Sequence, residues 1–455
     1  MTPVWLVLPD PFSSRLFFDT GIVGGLSEHL ADRLELFLLD VGEQAPAWRE
    51  RAGGIRLTTP ADLIEPDPAA SRKAYRRADA WLDRRFGFYP LSLRLSLRKG
   101  FNATRMQPGH QNWFLDPDMR GPVPLRAPLD PMMRSWHYGR LRYVPAPLQR
   151  RLRAERPAIL LANIQMHAVV PFIVGGRRLS LPLVGHVASW DHTVGKGIVT
   201  PHLGRYIVQN DVMRDDLVRY HGIAAERVTV TGWPQTDVFH RRRPRAEYER
   251  LVRELGLDSA RPVVLVMGNT PTNAPYEKLF VDRLVAWWES SGAQQRFSLL
   301  FRPHPRDRGW RERFSAALFR EGVAVQEPSF TDLEILATLL QHGDCVVSNA
   351  GTILLDALVN DRPAVCVLYD EGAPEGENWA FKNVSGEHYK SLIESEAFYQ
   401  ATSFEEVTAG IERALGHPGE LAAERARATR EVVGEVDGRA AERVVDAMLR
   451  GAVSA

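Results

Sequence analysis

Residues 345–368 contain the pattern that most restricts the fold of this chain. Residues 345–347 predict a buried strand, residues 348–352 a tight polar turn, residues 353–359 a helix, and residues 364–368 a second strand. This order predicts a βαβ unit, because parallel strands need a crossover between them. Its turn leaves backbone N–H groups at a helix N-terminus, where the helix dipole favours an anion.

The side chains of this turn suit a phosphate. Ser348 and Thr352 offer hydroxyl groups, and Asn349 and Gly351 offer N–H groups. Asp356 follows in the predicted helix, where we expect it to reach a ribose hydroxyl. The alternative is that the turn only caps the helix, with Asp356 an exposed carboxylate in the first helical turn.

A second polar segment follows the apolar run at residues 297–301. Arg302 and His304, each followed by a proline, bring a permanent cation and a titratable donor to the end of this predicted strand. Ligands of open α/β sheets bind beside the carboxyl ends of the strands. We therefore expect both segments to line one nucleotide-diphosphate site. The alternative is that Arg302 and His304 are surface residues held by the flanking prolines.

The length and composition of the chain limit its class. With 455 residues we expect two or more domains. A net charge of +1 with 25% charged residues argues against a dedicated nucleic-acid binder and against disorder. Cys345 and Cys366 lie in apolar runs and predict buried thiols, which fits a reducing cytoplasm. Residues 1–10 predict a strand rather than a signal peptide, and no apolar run reaches the ~20 residues of a membrane span.

The first half of the chain also predicts strands and helices in alternation. Residues 4–8 predict the first strand, a glycine turn follows at residues 20–25, and a helix is expected at residues 26–34. Gly24 in this turn is a candidate contact to the acceptor or to a phosphate, although the glycine spacing is not GxGxxG. Further strands are expected at residues 36–39, 158–162, 182–187, 205–208 and 227–231.

A basic segment that contains proline, residues 239–245, predicts a linker, and strand–helix alternation restarts at residues 263–267. We expect an N-terminal Rossmann-like domain at residues 1–240, a C-terminal Rossmann-like domain at residues 246–430 and a final helix at residues 431–455.

The loop after the strand at residues 182–187 is the candidate catalytic segment. Asp191, His192 and Lys196 lie close together in it, and a carboxylate beside an imidazole acts as a base or orients the histidine as the base. The alternative is a polar turn at Asp191 with His192 merely exposed. His186 and His167 are rival bases, but their apolar surroundings are typical of core histidines. No cluster has metal-ligand spacing.

Four segments resemble the GT-B glycosyltransferases, and more closely the bacterial surface-polysaccharide and CDP-glycerol glycerophosphotransferase-like branch. They are residues 188–197 (ASWDHTVGKG), 227–237 (RVTVTGWPQTD), 302–305 (RPHP) and 348–356 (SNAGTILLD). The resemblance implies an α/β fold with two Rossmann-like domains facing across a cleft. It also implies that residues 1–240 form an acceptor domain, that residues 246–430 form a nucleotide-donor domain, and that the final helix at residues 431–455 packs back on the first domain. Catalysis without a bound metal or other cofactor is implied as well.

One departure from the wider group narrows the resemblance. Many retaining GT-B enzymes carry two glutamates eight positions apart, whereas Ser348 and Asp356 occupy those places in this sequence. This favours the branch with a serine turn followed by an aspartate, whose members include inverting sugar transferases and polyol-phosphate transferases.

Two basic stretches, residues 94–105 and 140–153, interleave with aromatic and leucine residues. Such stretches suit an anionic membrane or a lipid-diphosphate acceptor. The alternative is a solvated surface with salt bridges, since acidic residues balance the overall charge.

These observations predict a cytoplasmic, metal-independent glycosyltransferase. It moves a sugar or a polyol phosphate from a nucleotide-activated donor to a surface-polysaccharide or glycoconjugate acceptor, with a glycan or lipid-linked acceptor as partner. One alternative is a nucleotide-sugar 2-epimerase, which needs no acceptor groove. Another is a non-catalytic nucleotide-sugar-binding protein, which binds the donor without turnover.

Overall fold

The computed structural model describes residues 2–39, 45–63, 144–195, 199–349, 351–384 and 387–453. These residues fall into two units, each built around its own parallel sheet. The first unit runs to Asp237 and resumes at Gly434, and the second comprises Val238–Val433. The basic stretch 94–105 lies outside the described residues, and the stretch 140–153 is described from residue 144.

In the described part of the first unit, seven parallel strands follow the order β3–β2–β1–β4–β5–β6–β7. They are β1 Val4–Leu8, β2 Leu34–Leu38, β3 Arg56–Thr58, β4 Ala158–Leu161, β5 Leu183–His186, β6 Arg205–Val208 and β7 Val228–Val230. All residues of β1, β2, β4 and β5 are buried, because helices cover both faces of such a sheet.

The helices that begin in the first unit are α1 Pro11–Asp19, α2 Ile22–Leu30, α3 Ala45–Arg51, α4 Ala146–Glu155, α5 Val170–Arg178, α6 His192–Gly195, α7 Asp211–His221 and α8 Gln235–His240. The chain passes into the second unit within α8. Residues 239–240 lie in α8 and Arg245 begins the next helix, so only residues 241–244 of the predicted linker lie outside helices.

The predicted glycine turn after the first strand is wrong. Pro11 begins α1, and the Asp10 carboxylate caps it by accepting from the backbone N–H groups of Phe12 and Ser13, both at 3.0 Å. The strand is therefore followed by α1, and Gly24 lies inside α2 on its exposed side. The expected role of Gly24 as an acceptor or phosphate contact loses its structural basis.

In the described part of the second unit, six parallel strands follow the order β10–β9–β8–β11–β12–β13. They are β8 Val263–Met267, β9 Ser298–Arg302, β10 Val323–Val325, β11 Cys345–Ser348, β12 Ala364–Val367 and β13 Tyr399–Ala401. The remaining helices are α9 Arg245–Glu254, α10 Glu277–Ser290, α11 Trp310–Arg313, α12 Leu333–His342, α13 Thr352–Val359, α14 Trp379–Val384, α15 Glu387–Glu394, α16 Phe404–Gly416, α17 Ala422–Ala428 and α18 Ala440–Val453.

The last helix, α18, belongs to the first unit. Val444, Val445 and Met448 enter the same buried core as Leu26 of α2. The Asp237 carboxylate accepts from the backbone N–H groups of Ala440 and Ala441, at 3.0 and 2.7 Å, and so caps the start of α18. Within the described ranges, no helix combines the length and the hydropathy needed to cross a bilayer.

The two parallel sheets flanked by helices confirm the predicted α/β class. Cys345 and Cys366 are buried free thiols on neighbouring strands, and burial raises the pKa of both. Strands β1, β6 and β8 have the predicted bounds, and β11, α13 and β12 form the predicted βαβ unit.

Candidate functional site

The strand order of the first sheet reverses between β1 and β4. The chain leaves β1 toward β2 on one side and later continues from β4 toward β5 on the other, so the loops at the carboxyl ends of β1 and β4 separate. Asp10 follows β1 and Asn163 follows β4. Asn163 Nδ2 donates to Asp10 Oδ2 at 3.0 Å, and both side chains are buried. A carboxylate and an amide thus meet where open α/β sheets bind ligands.

Neither Asp10 nor Asn163 was predicted as a site residue. A polar residue two positions after the end of each of two buried strands was the available signal. That signal needs the strand order before it can be read, because β1 and β4 are neighbours in the sheet but distant in the chain.

The rival base His186 is a core residue. It is the last residue of β5, fully buried, and its Nδ1 donates to the Ala162 carbonyl oxygen at 3.0 Å. Burial lowers the pKa of His186 to about 4, so the ring is neutral at physiological pH. The other rival, His167, begins a short 3₁₀ turn, and its side chain lies outside the described part.

The structure brings Asp191 and His192 together at the carboxyl edge of the first sheet. His192 Nε2 lies 4.0 Å from Asp191 Oδ1, and Ser189 Oγ donates to the same carboxylate oxygen at 2.6 Å. His192 begins α6 and is 9% exposed, so the alternative of an exposed histidine is wrong. Gln165 Nε2 donates to the His192 carbonyl oxygen at 3.0 Å. Lys196 lies outside the described residues.

The predicted donor residues share one edge of the second sheet. The register pairs Arg302 of β9 with Met267 of β8, and Met267 with Ser348 of β11. Arg302 and Ser348 therefore lie in one row, two strand spacings or roughly 10 Å apart. The strand order reverses between β8 and β11. The crevice expected from the sequence is thus at the reversal point of the second sheet.

The side chains of Ser348 and Asn349 donate hydrogen bonds to carbonyl oxygens of neighbouring strands. Ser348 is the last residue of β11, and its buried hydroxyl donates to the Met267 carbonyl oxygen at 3.1 Å. Asn349 Nδ2 donates to the Val367 carbonyl oxygen at 2.7 Å, and Asn349 Oδ1 accepts from Asn383 Nδ2 at 2.8 Å. The expectation that the Ser348 hydroxyl faces a phosphate is corrected, because the neighbouring strand uses it.

Gly351 and Thr352 keep the geometry that the anion hypothesis requires. Gly351 has φ +148° and ψ 174°, and α13 begins at Thr352. The N-cap residue of this helix is Gly351, which has no side chain to accept from the first N–H groups. Free N–H groups at this end suit an anion, and glycine is also a common N-cap, so the anion hypothesis and the alternative of a simple helix cap both stay predictions.

The Arg302 side chain is buried and already forms an ion pair. Its guanidinium is 8% exposed and donates to Asp332 Oδ2 at 2.7 Å and to Gln326 Oε1. This ion pair neutralises the charge that the sequence assigned to a phosphate. His304 differs: it is half-buried, and its Nδ1 accepts from the Arg306 N–H at 3.0 Å. The neutral ring therefore carries its hydrogen on Nε2, and its role toward a phosphate stays a prediction.

Asp356 lies in the second turn of α13 and is 2% exposed. The alternative of an exposed carboxylate in the first turn is therefore wrong. Asp356 is buried because this part of the helix is buried on all sides: its neighbours Leu354, Leu355, Ala357 and Leu358 are buried as well.

The loop after β8 is held by the largely buried side chain of Arg313, which was not predicted as a site residue. Arg313 donates to the carbonyl oxygens of Asn269 and Ala274 at 3.1 and 2.8 Å, and to the carboxylates of Asp307 and Glu277 at 2.5 and 2.7 Å. Glu277 Oε1 accepts from the Asn269 N–H at 2.7 Å. Burial raises the pKa of Glu277 to about 7 and the Asp307 charge adds to this rise, while the Arg313 guanidinium and the Asn269 N–H act in the opposite direction. In the part of the chain that the structure describes, no group of histidine, cysteine, aspartate and glutamate is arranged to hold a metal ion.

A sequence model of the CDP-Glycerol:Poly(glycerophosphate) glycerophosphotransferase family matches residues 199–450, more than half of the chain. The chain belongs to this glycerophosphotransferase family. Membership confirms the predicted branch and the prediction of a transferase that uses a nucleotide-activated donor. No curated protein sequence gives a significant match.

Solved structures show the same fold at low sequence identity. UDP-GlcNAc 2-epimerase from Methanocaldococcus jannaschii has a TM-score of 0.54 and 11% identity, with 99% of this chain and 99% of that chain covered. UDP-N-acetylglucosamine 2-epimerase from Rickettsia bellii has a TM-score of 0.51 and 15% identity, with 100% and 96% covered. These likenesses confirm the GT-B type of fold. At such identities they do not extend to the epimerase activity of those proteins.

Proposed function

We propose that this protein transfers a polyol phosphate, and first of all glycerol phosphate, from a cytidine-diphosphate-activated donor to a hydroxyl group of a polyol-phosphate or glycan acceptor. The family match carries the proposal, because residues 199–450 include the whole second sheet and all predicted donor residues from Arg302 to Asp356. In this proposal the second unit binds the donor and the first unit binds the acceptor.

The uncapped N-terminus of α13 receives the donor diphosphate. In this proposal the N–H groups at Gly351 and Thr352 bind the diphosphate at the positive end of the helix dipole, and His304 Nε2 adds a donor from the end of β9. Arg302 supports this edge through Asp332 instead of contacting the phosphate. Oriented N–H groups of this kind stabilise phosphate charge as it moves to the leaving group, and we therefore propose transfer without a metal ion.

His192 acts as the general base on the acceptor side. The acceptor oxygen attacks the phosphorus that carries glycerol, the bond from that phosphorus to the oxygen of cytidine monophosphate breaks, and the hydroxyl proton passes to His192. Asp191, 4.0 Å from His192 Nε2, stabilises the imidazolium that forms. Lys196 and the basic stretches at residues 94–105 and 140–153 favour an anionic, lipid-linked acceptor, and we place the reaction at the cytoplasmic face of a membrane.

The test incubates the purified protein with CDP-glycerol and a poly(glycerophosphate) acceptor and follows CMP release and chain extension. We expect both in the presence of EDTA, and we expect His192→Ala to lower kcat by about 10² or more. The exposed residue His417 gives a matched control, His417→Ala, with wild-type rates.

Other outcomes contradict the proposal. Epimerisation of UDP-GlcNAc without an acceptor favours the epimerase alternative. Tight binding of CDP-glycerol without turnover on any polyol-phosphate acceptor favours the non-catalytic alternative. Loss of activity with EDTA, restored by a divalent cation, overturns metal independence.

A further inference from the structure

Thr193, which follows His192 in the chain, forms two hydrogen bonds to side chains of helix α7. The Thr193 hydroxyl donates to Asp216 Oδ2 at 2.7 Å, and the Thr193 carbonyl oxygen lies 2.7 Å from His221 Nε2. Asp216 and His221 both belong to α7. The side chain and the backbone of Thr193 are thus both attached to the same helix.

The second ring nitrogen of His221 determines its tautomer. The Val199 backbone N–H donates to His221 Nδ1 at 3.1 Å. A backbone N–H can only donate, so Nδ1 accepts and the neutral ring carries its hydrogen on Nε2. His221 Nε2 therefore donates to the Thr193 carbonyl oxygen. His221 is 1% exposed, and its buried imidazole bonds to the backbone at both Thr193 and Val199.

We propose that His221 is a positioning residue for the transfer reaction: its hydrogen bond to the Thr193 carbonyl fixes the backbone next to His192 and so aims the His192 imidazole. The inference rests on the proposed function, in which His192 is the base. Alignment at this level matters because a misplacement of about 1 Å in a catalytic group can cost roughly 10²-fold in rate. His221 itself acts only through the loop.

Two amide variants separate the two hydrogen bonds of His221. The side-chain nitrogen of Gln reaches about as far as Nε2, so His221→Gln keeps a donor for Thr193 and loses the acceptor for Val199. The side-chain oxygen of Asn reaches about as far as Nδ1, so His221→Asn keeps the acceptor for Val199 and loses the donor for Thr193. His221→Leu removes both bonds. Gln and Asn bury similar polar groups, which makes them a matched pair.

The experiment measures kcat and KM for CMP release from CDP-glycerol with a poly(glycerophosphate) acceptor, and the affinity for CDP-glycerol by calorimetry. We expect His221→Asn and His221→Leu to lower kcat at least tenfold with unchanged CDP-glycerol affinity, and His221→Gln to stay within about threefold of wild type. Hydrogen exchange of the Val199 amide should be slow in wild type and His221→Asn and faster in His221→Gln. If His221→Asn is active and His221→Gln is not, the inference is overturned.

A double variant separates failure of this inference from failure of the proposed function. If His221 acts through His192, then His192→Ala combined with His221→Leu is no slower than His192→Ala alone. An additive loss overturns the positioning role. Wild-type turnover in His192→Ala overturns the proposed base, whereas an inactive His192→Ala beside a fully active His221→Leu overturns the positioning role alone. If His221→Leu does not fold, the comparison of Gln with Asn still decides.

Discussion

Arg302 and Asp332 form a buried ion pair, with 2.7 Å between Arg302 Nη2 and Asp332 Oδ2 and both side chains less than a tenth exposed. The pair joins the end of β9 to the residue before α12. Gln326 accepts a second bond from the same guanidinium. A residue that the sequence marked as a phosphate ligand thus serves to build the edge of the sheet.

We predict that Arg302→Ala destabilises the protein by about 3–5 kcal/mol, because Asp332 stays buried without its cation. Replacing both residues, as Arg302→Met with Asp332→Leu, should recover much of this loss. Urea unfolding of the wild type and of these two variants measures it. An unchanged free energy of unfolding together with weaker CDP-glycerol binding would instead assign Arg302 to the ligand.

Gly351 gives a second prediction, which concerns the backbone. Its φ of +148° lies where side chains with a Cβ are strained, although a Cβ at this position would meet no atom nearer than the Ile353 nitrogen at 4.0 Å. Gly351→Ala should therefore cost about 1–3 kcal/mol in stability or be offset by a shifted turn that lowers CDP-glycerol affinity. Gly376→Ala, also at positive φ but away from the turn, is the control. A silent Ala variant beside a damaging Gly351→Val would mean that bulk, not backbone strain, matters.

The buried carboxyl of Glu277 predicts a pH dependence of stability. Burial raises its pKa from 4.5 to about 7 in the folded protein. The folded state then binds the proton more tightly than the unfolded state, so the stabilisation is full below about pH 4.5 and is lost as the pH rises through 7. A shift of this size is worth roughly 3 kcal/mol at most.

Glu277→Gln isolates this contribution, because it keeps an acceptor and a similar volume but does not titrate. We expect urea unfolding between pH 5 and pH 7.5 to show a steeper fall in stability for the wild type than for the variant. Equal slopes in the two proteins would show that Arg313 keeps Glu277 ionised over the whole range.

Asp10 caps α1 and lies where the strand order of the first sheet reverses. Asp10→Ala removes the acceptor for two N–H groups of α1 and for Asn163, and we predict a loss of about 2 kcal/mol. Asp10→Asn keeps a capping oxygen and should cost less than about 1 kcal/mol. Thermal or urea unfolding compares them, and equal losses in both variants would show that the charge, not the cap, stabilises this region.

Local sequence was sufficient for many of the strands and for the βαβ unit around residue 348. The runs at β1 and β8 are continuous in apolar residues, and the run at β6 is apolar after Arg205. All three end at proline, glycine or polar residues, which is why their bounds were predicted without error. The Asp191–His192 pair was also accessible, since the two residues are adjacent in the chain. The uncapped start of α13 followed from Gly351 beside an apolar helix.

Tertiary structure decided which polar groups remain available to a ligand. Asp332 lies 30 positions from Arg302, Asn163 lies 153 positions from Asp10, and Met267 lies 81 positions from Ser348. The order and register of strands bring Asn163 and Met267 to their partners, and the start of α12 brings Asp332 to Arg302; a local pattern contains neither. The sequence by itself therefore determined many of the strands, the βαβ unit around residue 348 and the family of the protein. Only the tertiary structure determined that Arg302, Ser348 and Asp10 bond to other residues of the fold. The physical reason is that a buried polar group bonds to the neighbour that the packing of strands and helices brings to it.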